Sequence, residues 1–164
     1  MITTRILRSD EDLTDLIALS REFFEEYAPH HDAFFAIDVL RDSDIADFFS
    51  RSLASDGGTT FIALEDERMI GYITVLVRTR DNFWKIRKEG HISGLMVHKG
   101  HRRKGVATLL WRKAMAFCES NGVSYVTVCT SVNNKDAIKF YERNGMTPLL
   151  CHMIGATCPD RPGR

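Results

Sequence analysis

The chain has 164 residues, of which 44% are hydrophobic and 27% charged, and Lys+Arg and Asp+Glu both number 22, for a formal net charge of zero. That length suits one domain with a proper core, and the balance is that of a globular chain rather than a disordered or membrane one. A neutral total argues against a dedicated nucleic-acid surface, which needs a basic excess to release counterions from phosphates. Arg5, Arg8, Asp10, Glu11 and Asp12 break any signal-peptide core, and no apolar run approaches membrane-spanning length. A cytoplasmic location with no membrane and no nucleic-acid partner is therefore expected. Cys118, Cys129, Cys151 and Cys158 lack C-x-x-C spacing and read as reduced structural thiols.

In chain order, Thr3 to Arg8 reads as a short strand, after which Ser9 or Asp10 caps a helix carrying Leu13, Leu16, Ile17, Phe24 and Tyr27 at helical spacing until Pro29. Ser43 caps a second helix with Ile45, Phe48, Phe49 and Leu53 on one face, closed by Asp56-Gly57-Gly58. Thr59 to Glu65 and Met69 to Thr79 are β-branched runs joined by the polar Asp66-Glu67-Arg68, a hairpin pattern. A polar loop from Arg80 to Glu89 leads to a strand from His91 to His98, a glycine turn, and a helix to about Asn121 with Val106, Leu110, Ala114 and Phe117 buried. Tyr125 to Thr130 is a further strand, Asn133 or Asn134 caps a helix that ends at Asn144-Gly145, and Thr147 to Ile154 supplies a last strand or hairpin.

Strand, turn, helix and strand from His91 onward make a βαβ unit, which grafts a parallel pair onto an otherwise antiparallel sheet. The expected fold is thus α/β, a mixed and mostly antiparallel central sheet with helices on both faces, as one domain over residues 1–157 followed by a flexible tail at 158–164.

The turn Gly100-His101-Arg102-Arg103-Lys104-Gly105-Val106-Ala107 lies between a strand and a helix, where unpaired N–H groups and the helix dipole favour an anion. Gly105 lets the backbone approach a phosphate closely, and Ala107 keeps the first helical turn clear. Neither G-x-x-x-x-G-K-[ST] nor G-x-G-x-x-G fits, which argues against nucleotide hydrolysis and NAD binding.

Arg102-x-x-Gly105-x-Ala107 resembles the [QR]-x-x-G-x-[GA] acyl-CoA signature of the GCN5-related N-acetyltransferase (GNAT) superfamily. The preceding strand Ile92-Ser93-Gly94-Leu95-Met96-Val97-His98, the Asn133-Asn134 pair and Phe140-Tyr141-Glu142-Arg143-Asn144-Gly145-Met146 follow that family's order and spacing, over about His91 to Leu150. The resemblance implies an N-acyltransferase of the EC 2.3.1 class with acetyl-CoA as co-substrate and no metal. In it an amine of a small molecule or peptide attacks the thioester directly in a ternary complex.

On that resemblance, backbone N–H groups from Arg103 to Ala107 and on to Thr108 take the pyrophosphate, and Arg102 and Arg103 add charge near the 3′-phosphate or the loop rim. Leu95, Met96 and Val97 lie along the pantetheine arm, and Asn133 or Asn134 either bonds that arm or caps its helix. Tyr141 is the implied general acid. Many relatives carry a glutamate two positions before the strand's Gly or Asn, near the place where this chain has Ser93, so His91, which also matches the H-x-x-x-L-x-V-H strand of arylalkylamine N-acetyltransferases, is the candidate base relaying a proton through water.

Strand alternation places His98 on the opposite face from His91, which with the missing carboxylate or cysteine argues against a metal. For the acceptor, Phe23, Phe24, Tyr27 and Trp84 are the candidate contacts, with Glu25, Glu26, Phe34 and Phe35 nearby in sequence. A homodimer is a further implication of the family. A non-catalytic acyl-CoA-binding or sensing module is the alternative, since the strand glutamate is missing.

Overall fold

A computed structural model describes residues 1–55 and 57–157, and its backbone packing groups them into two units, Met1–Glu26 with Ile37–Cys129, and Tyr27–Ala36 with the chain from Thr130 onward. Asp56 of the expected closing turn and the tail from Cys158 lie outside the described residues.

The first unit holds one five-stranded sheet in the order β1 (Ile2–Ile6), β2 (Gly58–Glu65), β3 (Arg68–Thr79), β4 (Lys88–Val97), β5 (Val126–Val128). The first three pairings are antiparallel, and β4 with β5 is parallel, the mixed α/β sheet that the βαβ pattern predicted. The β2–β3 turn puts Asp66 and Glu67 at φ of 50° and 66°, a left-handed pair that suits the twist of a two-residue hairpin.

Both faces of the sheet are covered, which is why β2 and β3 are buried nearly throughout rather than alternately. On one face α1 (Thr14–Tyr27) contributes Leu16 and Leu19, α2 (Asp42–Ala54) contributes Ile45 and Phe49, and both pack with Ile62, Tyr72 and Met96. On the other lies α3 (Val106–Ser120), with Phe117 edge-on to Phe61 at 6.2 Å between centroids. The polar groups buried inside the sheet satisfy one another: Thr60 Oγ1 lies 2.9 Å from Thr74 Oγ1 and 3.3 Å from Ser52 Oγ.

The second unit contains a 3-10 turn at Ala28–His30, where Pro29 stops α1, and α4 (Lys135–Arg143), capped by Asn134 Oδ1 accepting from Ala137 N–H at 3.2 Å.

Three expectations are corrected. Helix α1 starts at Thr14 rather than after Ser9 or Asp10, because the capping acceptor is Asp12, whose Oδ1 takes the Thr14 N–H at 2.9 Å. The second helix starts at Asp42, with the Arg41 N–H donating to Asp44 Oδ2 at 3.0 Å, so Ser43 is its second residue and not its cap. No strand forms from Thr147 to Ile154; Leu149 and Leu150 are 80% and 90% exposed, and strand propensity without a partner edge does not make a strand.

Candidate active site

The connection from β4 into α3 is built around two left-handed residues, Arg103 at φ 64° and Gly105 at φ 82°. Gly105 is the N-cap of α3, has no side-chain cap, and no atom outside its immediate neighbours comes within 4 Å of where a Cβ would sit. The first bond into the helix is Leu109 N–H to the Gly105 carbonyl at 3.0 Å, so Val106, Ala107 and Thr108 present N–H groups that have no acceptor one turn back. With Arg103 and Lys104 exposed beside them and open space over Gly105, the turn gathers N–H donors and positive charge of the kind that favours an anion.

Leading into it, β4 is irregular. Its register against β3 slips between Thr74 and Val75, which pair with Gly94 and Ile92, leaving Ser93 as a bulge. The bulge reverses the alternation before it. Gly90 and Ile92 turn toward α3, where a Cβ on Gly90 would come within 2.6 Å of Cys118 Sγ, while His91 turns to the face of Tyr72 and Met96. The expected opposition of His91 and His98 by strict alternation therefore does not hold. They are separated instead by seven residues of chain, roughly 20 Å of extended backbone, and His98 Nδ1 lies 3.2 Å from His101 Nδ1 beyond the strand end.

The parallel partner β5 reaches only from Gly90 to Ile92. Past that point His98 N–H donates to the Ile70 carbonyl at 2.9 Å, so by alternation the main-chain groups of Leu95 and Val97 face the side that β5 has left. The Val97 carbonyl accepts there from Arg102 Nε at 2.9 Å. The side chain of Met96 is core, and Gly94 is small because a Cβ there would come within 3.3 Å of the Tyr72 ring.

His91 is half-buried with Nδ1 3.1 Å from Thr127 Oγ1 on β5. Burial first, and then the nearby Arg78 charge, pull its imidazole below the ordinary range, against a smaller opposing pull from Glu89. Thr127 Oγ1 also lies 3.5 Å from the Gly90 carbonyl, so the hydroxyl sits between the imidazole and the strand backbone.

In the second unit, burial and the neighbouring Tyr27 phenol push Tyr141 up to about 12, so it stays protonated at neutral pH. Asn133 Nδ2 donates to the His30 carbonyl at 3.2 Å, and Asn134 is the helix cap. Of the aromatic candidates, Phe23 and Phe24 meet edge to face at 5.4 Å, Tyr27 packs on Phe35 at 4.7 Å, and Trp84 lies under Arg80 at 4.6 Å on the β3–β4 connection, at the other end of β4 from the glycine turn.

Two features had no signal in the sequence. Arg102, expected at the 3′-phosphate or the loop rim, directs its guanidinium to Glu26, a contact across 76 positions. Thr127 meets His91 only because β5 folds against β4.

A model of the acetyltransferase (GNAT) family matches residues 13–146. The chain is 30% identical over 86 residues to N-alpha-acetyltransferase 30 of Schizosaccharomyces pombe, a match that covers 52% of this chain and 55% of that protein, so the chain spans about half of that relative's length. It is 26% identical over 148 residues to an N-alpha-acetyltransferase of Saccharolobus solfataricus, covering 86% and 77% of the two. The aminoglycoside N-acetyltransferase AAC(6')-Iy in complex with CoA shares the fold at a TM-score of 0.76, with 18% identity over 96% of each chain. No helix among the described residues is long and apolar enough to cross a membrane. With the glycine turn, the bulged strand and the Tyr141 helix all falling inside the matched span, the chain belongs to the acetyltransferase (GNAT) family.

Proposed function

We propose that the chain is an acetyl-CoA-dependent N-acetyltransferase that moves an acetyl group to a primary amine of a small molecule or peptide, by direct attack in a ternary complex. The observation that carries this reading is the pairing of an uncapped, glycine-opened helix start with an unpaired stretch of β4 leading up to it. A phosphate-bearing ligand with an extended amide arm uses both at once. Two relatives are named N-alpha-acetyltransferases, which makes a peptide N-terminus the first acceptor to try.

In this reading the N–H groups from Arg103 to Thr108 hold the pyrophosphate, and Arg103 and Lys104 add charge. Main-chain groups of Leu95 and Val97 hold the pantetheine arm, and an N–H of this open edge polarises the thioester carbonyl as charge develops on its oxygen. His91 Nε2 takes the ammonium proton, directly or through one water, so that the neutral amine attacks the carbonyl carbon. The C–N bond forms, the C–S bond breaks, the Tyr141 hydroxyl gives its proton to the departing sulfur, and the second proton of the attacking nitrogen leaves as the amide forms, with solvent returning a proton to the Tyr141 phenolate and taking one from the His91 imidazolium. Burial keeps the Tyr141 phenol protonated at neutral pH, so a proton is there to be given. Phe24 and Trp84, whose rings are partly exposed, are the proposed acceptor contacts.

Calorimetric titration with acetyl-CoA is the direct test, and micromolar affinity is expected. Tyr141→Phe should then lower kcat by roughly a hundredfold, the contribution of one positioned acid, while acetyl-CoA affinity stays unaltered; equal turnover would remove the tyrosine from the mechanism. The missing strand glutamate favours one competing reading, a module that binds acyl-CoA without turnover. Tight binding with no product from any peptide or small amine would establish that reading instead.

A further inference from the structure

Arg102 is part of the cationic turn, yet its guanidinium is engaged with α1 and the end of β4. Nη2 lies 2.8 and 2.9 Å from the two carboxylate oxygens of Glu26 on α1, Nε donates to the Val97 carbonyl at 2.9 Å, and Met96 Sδ is 3.7 Å away. Glu22, one turn earlier on α1, completes the acid pair: its Oε1 is 4.0 Å from Arg102 Nη2 and 3.8 Å from Lys99 Nζ, and it accepts the Lys99 N–H at 3.3 Å. Lys99 Nζ is also 3.6 Å from Glu26. Two of the turn's cations are thereby neutralised from α1.

We infer that Glu26 is a positioning residue that, by holding Arg102 on the Val97 carbonyl, decides which main-chain groups of β4 are left for the pantetheine arm of acetyl-CoA. This rests on the acetyl-CoA reading above and deepens it. With Arg102 on the Val97 oxygen, the groups of the open edge left for the arm are the Val97 N–H and the Leu95 N–H and C=O, which fixes the register of the arm on the strand. Released from Glu26, Arg102 has no reason to stay on Val97, and the arm can pair one residue out of place with its thioester away from the reacting groups.

The ion pair is about a third exposed, so charge attraction alone contributes little. The effect comes from geometry, since Nε and Nη2 of one planar group reach a carbonyl and a carboxylate in a fixed arrangement that the point-like ammonium of lysine does not reproduce.

The opposing possibility, that Arg102 binds phosphate and Glu26 merely competes for it, predicts the opposite sign. Acetyl-CoA and 3′-dephospho-acetyl-CoA are titrated into the unsubstituted chain, Glu26→Ala and Arg102→Lys, with KM and kcat measured alongside. Glu26→Ala should weaken both ligands equally, by roughly the tenfold that a charge-assisted hydrogen bond carries, and lower kcat as well as raise KM, because a thioester bound out of register is not attacked. Arg102→Lys should match it despite keeping its charge. Unaltered or tighter binding by Glu26→Ala, a loss confined to acetyl-CoA over its dephospho form, or full affinity in Arg102→Lys would each overturn the inference. Should Glu26→Ala fail to fold, Arg102→Lys decides alone. An unsubstituted chain that binds neither ligand overturns the acetyl-CoA reading first, and is recognised before any variant is made.

Discussion

From Gly90 to Ile92, β4 is paired on both sides, to β3 antiparallel and to β5 in parallel, whereas from Gly94 to Val97 only β3 pairs with it. The closed half buries Ile92 against α3 and leaves no main-chain group for a ligand. The open half keeps its main-chain groups on one side for something that is not sheet, and backbone N–H and C=O groups left unpaired beside a core are costly unless a partner arrives. The Ser93 bulge divides the halves and sets the face of each side chain before it. One strand thus holds a part that secures the fold and a part that, on the proposed reading, is kept for a ligand, and substitutions should sort by half.

The largest effect belongs to the turn that the open half feeds. Gly105→Val puts a β-branched residue at φ 82°, where side chains are strongly disfavoured, and places its Cβ in space that is now empty. Acetyl-CoA affinity is expected to fall by about a hundredfold, near 2.7 kcal/mol, while thermal unfolding moves only by the local strain. Affinity retained in a folded Gly105→Val protein would show that the turn does not hold the phosphates.

The closed half should respond the other way. An alanine Cβ at Gly90 would meet Cys118 Sγ at 2.6 Å and Val126 Cγ2 at 3.3 Å, so Gly90→Ala should destabilise the chain by about 1–3 kcal/mol through overpacking and leave acetyl-CoA affinity alone. The cost should shrink in a Cys118→Ala background, because the two sites share one contact. Denaturant unfolding of the double variant checks this; full additivity would place the strain elsewhere.

Much of this division was legible before the structure. The β-branched runs on either side of Asp66 to Arg68 announce the hairpin, and Arg102-x-x-Gly105-x-Ala107 between a strand and a helix announces the turn, because both are local patterns with local physical causes. What stayed hidden depends on chain that is distant in sequence. Nothing about Ser93 marks it as a bulge, yet that one residue moves His91 to the α1 face. Nor does a glutamate on α1 advertise an arginine 76 positions away. The apolar run from Thr147 to Ile154 has strand composition and no strand, because pairing depends on an edge that composition does not supply.

The smallest expected effect tests whether His91 acts across the boundary between the halves. Burial and Arg78 lower its pKa, and a lowered value means the neutral imidazole persists to lower pH. The acidic limb of kcat/KM should therefore fall below histidine's usual value of about 6.5. Arg78→Gln removes a repelling positive charge, so the proton binds more easily and the limb moves up; Glu89→Gln removes an attracting charge and moves it down. Arg78 is exposed and Glu89 is shared with Arg80 at 3.9 Å, so each shift should be a few tenths of a pH unit and shrink in high salt, where exposed charges are screened. Opposite shifts from the two variants would place the titrating base at His91. A limb that ignores both, and survives His91→Ala, would assign the proton to another group and leave the closed half of β4 with a structural role alone.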